Sequence, residues 1–419
     1  MPEFRGLKKI LNQWGGATGA IFNYAHFAND MSVTLIVPLL PLVKAGLGLN
    51  YMQSGLLITA FNVTSVFSQL PMGWLGDRIN RRMIIAIGLL GVSLTTLAVG
   101  LSPTYYPMLL ILVVMGIFSG AYHPVSNTIL AGYIELKRRG KVIGLHLLGG
   151  AMGCAFSPIL GGLIADKLGW RFSFIILCIP VLLAALLILW KLKLSERPHN
   201  SGGLSQTSIS NGTQGAKTGL ASLGKALRPI AVICVLAILM QFISVAAENF
   251  IPLYLVDKHN IAATHAAMWL GVMRGGGMAG SLLGGWLSDK WSRENALYLA
   301  IIGTGPVLFL VTILPFNAVF VVMFVLFGVL AFMKYPPFQT LLVDIAPPQL
   351  RATLLGLYFF FMMEGMSLAQ PIVGYFIDIW GINQVFSAIG LITVGLSVVT
   401  LFWAIINRSS ANTLSTSSD

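Results

Sequence analysis

The chain has 419 residues, of which 56% are hydrophobic and only 10% are charged, and its mean hydropathy is +0.83. A soluble domain is about 45–50% apolar and about 25% charged, so this composition excludes a soluble globular protein. The net charge of +12 does not indicate nucleic-acid binding, because Lys and Arg concentrate on one predicted side of a membrane. Since the alternating pattern of a membrane β-barrel is absent, we predict an all-α integral membrane protein.

Twelve segments are long and apolar enough to cross a bilayer as helices, which takes roughly 20 residues each. They form two sets of six, at 18–43, 52–76, 83–101, 106–132, 141–166 and 171–192, then at 229–256, 266–289, 296–314, 317–345, 352–377 and 383–407. We predict six-helix bundles over 1–192 and 229–408. A flexible linker at 193–228, too polar to bury a core, joins them, and a disordered tail follows at 409–419.

The distribution of positive charge predicts how these spans are oriented. Lys and Arg are frequent at the termini, in the linker and in alternate loops, whereas the opposite loops hold only Lys44, Lys167, Arg171 and Lys258. By the positive-inside rule, both termini are therefore cytoplasmic. We expect a multi-pass monomer in the cell (inner) membrane, with the lipid bilayer as a partner and no nucleic acid.

Span one carries the strongest candidate for a proton carrier. A charge at mid-bilayer costs at least about 2.5–3.5 kcal/mol unless it faces a cavity or a partner. His26 and Asp30 are four residues apart and share one helix face, with Asn29 beside them. A carboxylate next to a histidine in an apolar span is suited to load and release a proton.

Other polar or ionisable residues within the spans are expected to line one central cavity. They are Asn62 in span two, His123 and Asn127 in span four, Glu248 in span seven, Arg274 in span eight, Lys334 in span ten and Glu364 in span eleven. Glu248 and Glu364 compete with Asp30 as proton carriers. Arg274 and Lys334 would suit an anionic substrate group. The alternative is that the acids and cations of spans seven to eleven are permanent structural partners.

The chain also repeats itself at an offset of 212 residues. The first matches are Gly73 with Gly285, Trp74 with Trp286, Leu75 with Leu287 and Asp77 with Asp289. Later matches are Pro124 with Pro336, Arg139 with Arg351, Gly153 with Gly365, Gly162 with Gly374 and Asp166 with Asp378. Two similar halves that enclose a central solute site are typical of secondary transporters.

The segment Gly-Trp-Leu-Gly-Asp-Arg-Ile-Asn-Arg-Arg at 73–82 lies between spans two and three and has a partial copy at 285–293. It resembles the loop signature of the major facilitator superfamily, and the resemblance covers all twelve spans. It implies a cytoplasmic gate closed by charge pairing and a helix dipole. The gate residues would be Gly73, Asp77, Arg78, Arg81, Arg82 and Asp289. The alternative is that the arginines are only topology anchors.

Three further motifs narrow the resemblance to one branch. Ala-His-Phe-Ala-Asn-Asp at 25–30, Pro-Leu-Leu-Pro-Leu at 38–42 and Tyr-His-Pro at 122–124 are similar to the fosmidomycin-resistance branch of that superfamily. The run from Gly153 to Gly162 resembles the span-five signature of drug/proton antiporters, with Ser157 in place of a glycine. Ordinary packing of small residues is the alternative for this run.

Span four departs from that branch at two positions. The branch commonly carries an acidic residue after His-Pro and an arginine a few positions further, where this chain has Val125 and Thr128. For His123, the alternative to a functional role is a hydrogen bond to the carbonyl that Pro124 leaves free.

Motifs for enzyme chemistry are missing from the sequence, which lacks a phosphate-binding glycine loop, a metal-spaced His/Cys cluster and a nucleophile elbow. We therefore expect no enzyme activity, no cofactor and no metal, and an ion gradient as the driving force. The predicted function is an antiporter that couples protons to the efflux of small amphipathic compounds by alternating access. The alternatives are proton-coupled uptake of a small organic anion or metabolite, and a non-transporting membrane receptor or assembly subunit.

Overall fold

The computed structural model describes residues 16–76, 78–133, 136–191, 231–345, 354, 358 and 365–416. The helices before the predicted linker are α1 Gly16–Val33, α2 Leu40–Leu47, α3 Tyr51–Gly76, α4 Arg81–Leu101, α5 Tyr105–Ser119, α6 Tyr122–Tyr133, α7 Leu136–Leu168 and α8 Trp170–Lys191. Those after it are α9 Ala231–His259, α10 Ala263–Lys290, α11 Arg293–Ile313, α12 Ala318–Met333, α13 Tyr335–Ile345, α14 Ala369–Trp380 and α15 Ile382–Thr416. A short 3₁₀ turn at Gly365–Leu368 precedes α14.

Within those ranges, nine helical stretches are long and apolar enough to cross a membrane. They correspond to predicted spans two to seven, nine, ten and twelve. Large apolar side chains such as Leu70, Leu110 and Trp190 are exposed on these helices, as a lipid-facing surface requires. The all-α membrane fold is confirmed, while the total of twelve spans and the orientation of the termini stay predictions.

Three predicted spans are interrupted where the sequence places proline. Span one breaks between α1 and α2, span four between α5 and α6, and span ten between α12 and α13. Proline has no N–H, so Pro124 and Pro336 cannot donate to the carbonyl four residues earlier, and each helix restarts just before its proline. These breaks put His123 in the first turn of α6 and Lys334 between the end of α12 and the start of α13.

At the C-terminus, α15 continues to Thr416, past the predicted end of span twelve. The expected disordered tail at 409–419 therefore begins as helix. The reason is that neither glycine nor proline, the two strongest helix breakers, occurs between 396 and 416. The expected linker at 193–228 lies outside the described residues.

The repeat is confirmed in structure, because glycines at equivalent positions make equivalent close approaches between helices. The matching contacts are Gly73 with Pro124 and Gly285 with Pro336, then Gly116 with the Phe61 carbonyl and Gly328 with the Met273 carbonyl. A Cβ on Gly73 would lie 3.7 Å from the Pro124 Cβ, and one on Gly285 would lie 3.8 Å from the Pro336 Cβ. Small residues allow such backbone contact within a membrane.

Contacts group the chain into two compact units. The first comprises 1–203, 251–271 and 370–375, and the second comprises 204–250, 272–369 and 376–419. In the first unit α1 packs on α7, α3 on α5 and α4 on α8, and in the second α11 packs on α12 and α15. The predicted division into bundles at 1–192 and 229–408 stays a prediction.

The first unit includes segments from the second half of the sequence, which pack against α3 and α7. Tyr51 donates a hydrogen bond through its hydroxyl to Asp257, and Thr264 Oγ1 donates to Asp166 Oδ1 at 3.0 Å. Gly162 approaches closely enough that a Cβ there would lie 2.7 Å from the Thr264 carbonyl oxygen. Backbone contact and two hydrogen bonds to carboxylates therefore hold these segments together.

Candidate functional site

A buried polar cluster in the first unit, here called the histidine site, consists of His26, Asn29, Asp30, His123 and His146. His26 Nε2 lies 3.2 Å from Asp30 Oδ2, one helical turn away on α1. His26 Nδ1 lies 2.7 Å from the carbonyl oxygen of His146 on α7. A carbonyl only accepts hydrogen bonds, so Nδ1 carries a hydrogen, and the contact at Nε2 then needs a second proton shared with the carboxylate. This geometry suits a pair that shares one proton.

The remaining members of the histidine site surround this pair. Asn29 Nδ2 donates to Asp30 Oδ1 at 3.0 Å, and His123 Nε2 lies 4.0 Å from the same oxygen. The His26 and His146 rings are 4.3 Å apart between centroids. The side chains of His26 and Asp30 are only 5% and 14% exposed, whereas that of His123 is 36% exposed. His123 thus links the buried pair to more accessible space.

Glycines of α7 make room for the buried pair. A Cβ on Gly150 would lie 2.5 Å from His26 Nε2 and 2.7 Å from Asp30 Oδ2. One on Gly153 would collide with the Phe27 carbonyl of α1. The glycine run of span five therefore lets α1 approach α7 closely enough for the His146 carbonyl to accept from His26.

A second cluster, here called the arginine site, lies in the second unit and consists of Gln241, Glu248, Arg274, Lys334 and Tyr335. Arg274 Nε lies 3.2 Å from Glu248 Oε1, and both side chains are nearly buried. Lys334 is 1% exposed, donates through Nζ to the Ala331 carbonyl at 2.6 Å and interacts electrostatically with Glu248. Gln241 Nε2 donates to the Tyr335 hydroxyl at 2.8 Å.

The arginine site carries two basic side chains, Arg274 and Lys334, and one carboxylate among the residues that the structure describes. Arg274 Nη1 is buried and has no hydrogen-bond partner in that part of the chain. Glu364, the other predicted carboxylate, lies outside the described residues. Among these described groups the site therefore has more basic than acidic side chains and an unused guanidinium donor.

The structure joins most of the sequence candidates into these two clusters. Asn62 is half-buried and Asn127 is exposed, and neither hydrogen-bonds to either cluster in the described ranges. Sequence reasoning missed His146 and Tyr335. Both carried a signal, since His146 is an ionisable residue in an apolar span and Tyr335 is the repeat equivalent of His123.

The predicted cytoplasmic gate follows α3. Its arginines make local contacts: the Arg78 guanidinium stacks on the Trp74 ring at 3.6 Å, Arg81 Nε donates to the Gly76 carbonyl at 3.0 Å, and the Arg82 amide donates to Asn80 Oδ1 at 3.0 Å. Asp77 lies outside the described residues, and Asp289 is exposed. Charge pairing in the gate stays a prediction.

The histidine site can also hold a metal ion, although the sequence predicted none. His26, Asp30 and His123 offer one donor atom each, and these atoms lie within 4.8 Å of one another. The three residues come from α1 and α6, far apart in sequence, so no short spacing motif could have indicated them.

Comparison with known proteins identifies the fold. The sequence profile of the Major Facilitator Superfamily matches residues 23–369. The chain belongs to this superfamily. The fosmidomycin resistance protein of Escherichia coli (strain K12) is 24% identical over 395 residues, which cover 92% of each chain. The cis,cis-muconate transport protein of Acinetobacter baylyi (strain ATCC 33305 / BD413 / ADP1) is 24% identical over 343 residues, which cover 80% of each chain.

A solved structure supports the same fold. The crystal structure of a bacterial homolog to the human lysosomal transporter Spinster, inward-facing and occupied, has a TM-score of 0.75. It is 18% identical in sequence, and the match covers 93% of this chain and 96% of that one. The predictions of a major facilitator fold and of a membrane transporter that is not an enzyme are therefore confirmed.

Proposed function

We propose that this transporter is a proton-coupled exporter of small amphipathic compounds, working by alternating access in the inner membrane with both termini cytoplasmic. The observation that carries the proposal is the His26–Asp30 pair. Its geometry supports a shared proton, and in this proposal the partly exposed His123 is the route by which that proton enters and leaves. Exchange of this proton for a bound compound is the elementary step of antiport.

Electrostatics explains how the proton would drive transport. Once the shared proton leaves, a neutral imidazole and an ionised Asp30 remain, and an unpaired carboxylate in an apolar span is costly. The protonated and deprotonated pairs therefore favour different conformations, and a proton gradient biases the equilibrium between them. A compound that binds the deprotonated form would travel opposite to the proton.

Two observations support export. The fosmidomycin resistance protein matches nearly the whole chain. The glycine run from Gly153 to Gly162, which resembles the antiporter signature, begins in contact with α1, the helix that carries His26 and Asp30. The exported compound is therefore expected to compete with the proton at the histidine site.

A second candidate function is proton-coupled uptake of a small organic anion, and the arginine site favours it. Two basic side chains share one described carboxylate there, and the unused Arg274 Nη1 could donate to an anionic group. The similarity to the cis,cis-muconate transport protein supports this candidate. The two functions differ in the direction of proton movement relative to the compound.

The experiment is pH-gradient-driven flux in proteoliposomes of the purified protein, with a panel of amphipathic drugs and small organic anions. Export by antiport predicts proton movement opposite to a drug, lost in Asp30→Asn and retained in Glu294→Gln, an exposed acid in the first turn of α11. Proton and anion movement in the same direction would instead support uptake. No flux of any compound with folded protein would favour a non-transporting receptor or assembly subunit.

A further inference from the structure

We propose that the histidine site binds one divalent transition-metal ion through His26 Nε2, the Asp30 carboxylate and His123 Nε2, and that the bound ion arrests transport. Nothing in the sequence motifs or in the similarity to transporters assigns a metal to this chain. The inference comes from the geometry of three side chains and of the groups that hold them.

The distances between the donor atoms fit one metal ion. In a tetrahedral zinc site with bonds of about 2.1 Å, neighbouring donors lie about 3.4 Å apart. His26 Nε2 is already 3.2 Å from one carboxylate oxygen, Asp30 Oδ2, His123 Nε2 is 4.0 Å from the other, Asp30 Oδ1, and one donor atom from each of the three residues lies within 4.8 Å of the others. The His123 side chain is partly exposed, so a small rotation of its ring closes the remaining gap.

The arrangement of the ligands along the helices is also that of a metal site. His26 and Asp30 are spaced i and i+4 on α1, the spacing that puts two ligands of one zinc on the same helix face. His123 supplies the third ligand from the first turn of α6. Three protein ligands leave a fourth position for water, which is the composition of exchangeable rather than purely structural zinc sites.

Neighbouring groups orient two of the ligands. Because the His26 Nδ1–H donates to the His146 carbonyl, the other nitrogen is left to bind a cation. Asn29 Nδ2 holds Asp30 Oδ1, and Asn29 Oδ1 is a buried acceptor with no hydrogen-bond partner among the described residues. A metal-bound water beside Asp30 would supply the donor that this acceptor lacks.

The metal would occupy the place of the removable proton. Metal ligands must be deprotonated, so a divalent ion and the shared proton exclude each other at Nε2 of His26. Binding of the metal stands on the geometry alone. The arrest of transport rests on the proposed function, because it assumes that this same proton has to be exchanged in each cycle.

The binding test is calorimetric titration of Zn²⁺ into the full-length protein, purified in detergent without a polyhistidine tag and stripped with a chelator. We expect about one ion per chain, and at least about tenfold weaker binding in Asp30→Asn and His123→Gln. The matched control is His265→Gln, an exposed histidine outside the cluster, which should bind as the unmodified protein does. Absence of binding, or equal binding by all four proteins, would overturn the proposal.

Two further measurements keep the result interpretable. Thermal unfolding without metal checks that each variant is folded. If Asp30→Asn does not fold, His123→Gln is the decisive variant. Co²⁺ added in place of Zn²⁺ should give the visible absorption of a tetrahedral site with histidine ligands, and this absorption should be lost in His123→Gln. A spectrum of fully hydrated Co²⁺ would contradict the assigned ligands.

Flux separates this proposal from the proposed function. Zn²⁺ should stop proton-coupled flux of the unmodified protein, and a chelator should restore it. Flux that persists at saturating Zn²⁺ would overturn the arrest. Proton-coupled flux with no Zn²⁺ binding would overturn the metal site and leave the transport function standing. Zn²⁺ binding in a protein without proton-coupled flux would support the site and count against the function.

Discussion

The histidine site and the arginine site share two equivalent positions of the sequence repeat but carry different chemistry. The shared members are Asn29 and Gln241, and His123 and Tyr335; Lys334 is the equivalent of Tyr122, whose ring lies beside His26 and His146. In both copies a helix restarts just before a proline, which presents His123 in one copy, and Lys334 and Tyr335 in the other, at a break in the helix. The repeat therefore conserves the backbone framework while the side chains that it presents differ.

The difference lies in whether the charges can be removed. The histidine site is built from an Asp and three His residues, groups that exchange protons. The arginine site is anchored by Arg274, whose guanidinium keeps its charge at any physiological pH. Under the proposed function, this contrast predicts a divided task, with proton exchange at the first site and recognition of charge at the second.

The largest expected effect on stability is at the arginine site, because its ion pair is nearly buried. Arg274→Leu should lower the free energy of unfolding by about 3–5 kcal/mol, since it removes the ion-pair partner of the nearly buried Glu248 carboxylate. The double variant Arg274→Leu/Glu248→Leu should recover most of that loss. Unfolding in detergent micelles measures both. A single variant as stable as the double would show that the pair is not coupled.

A smaller effect on stability is expected at the glycines that admit the histidine site. Gly150→Ala should destabilise the protein by about 1–3 kcal/mol, because the added Cβ meets His26 and Asp30. The same change at Gly144 on the same helix meets no atom within 4 Å and should be neutral or stabilising by up to about 1 kcal/mol. If Gly150→Ala and Gly144→Ala shifted the apparent melting temperature in the same direction, the crowding assigned to Gly150 would be contradicted.

Much of this architecture was accessible from the sequence. Spacing alone placed His26 and Asp30 on one face, because both lie on a single helix. Their proximity to His123 and to the His146 carbonyl depends on how α1, α6 and α7 pack, which no local pattern encodes. The helix break at Lys334 could have been expected from the prolines that follow this residue. The burial of the Lys334 side chain against its own helix could not.

The smallest expected effect is at the amide side chains of Asn29 and Gln241, which are equivalent in the repeat. Asn29→Ala removes a hydrogen bond to the Asp30 carboxylate, and about 1.4 kcal/mol lost there should slow proton-coupled flux about tenfold. Gln241→Ala removes a bond to Tyr335 and should leave the proton dependence unchanged. The measurement is the initial flux at several proton gradients. If the initial flux of both variants rose equally steeply with the proton gradient, the distinction between the two sites would be lost.

The central claim is that the removable proton belongs to the histidine site and not to the arginine site. It is tested most directly in proteoliposomes, with any transported compound, by comparing proton-driven net transport with exchange of labelled for unlabelled compound. Asp30→Asn should lose net transport driven by protons and retain exchange of labelled for unlabelled compound. In Glu248→Gln, any transport that remains should still depend on the proton gradient. Uphill transport by Asp30→Asn, or loss of proton drive with intact exchange in Glu248→Gln, would contradict the account.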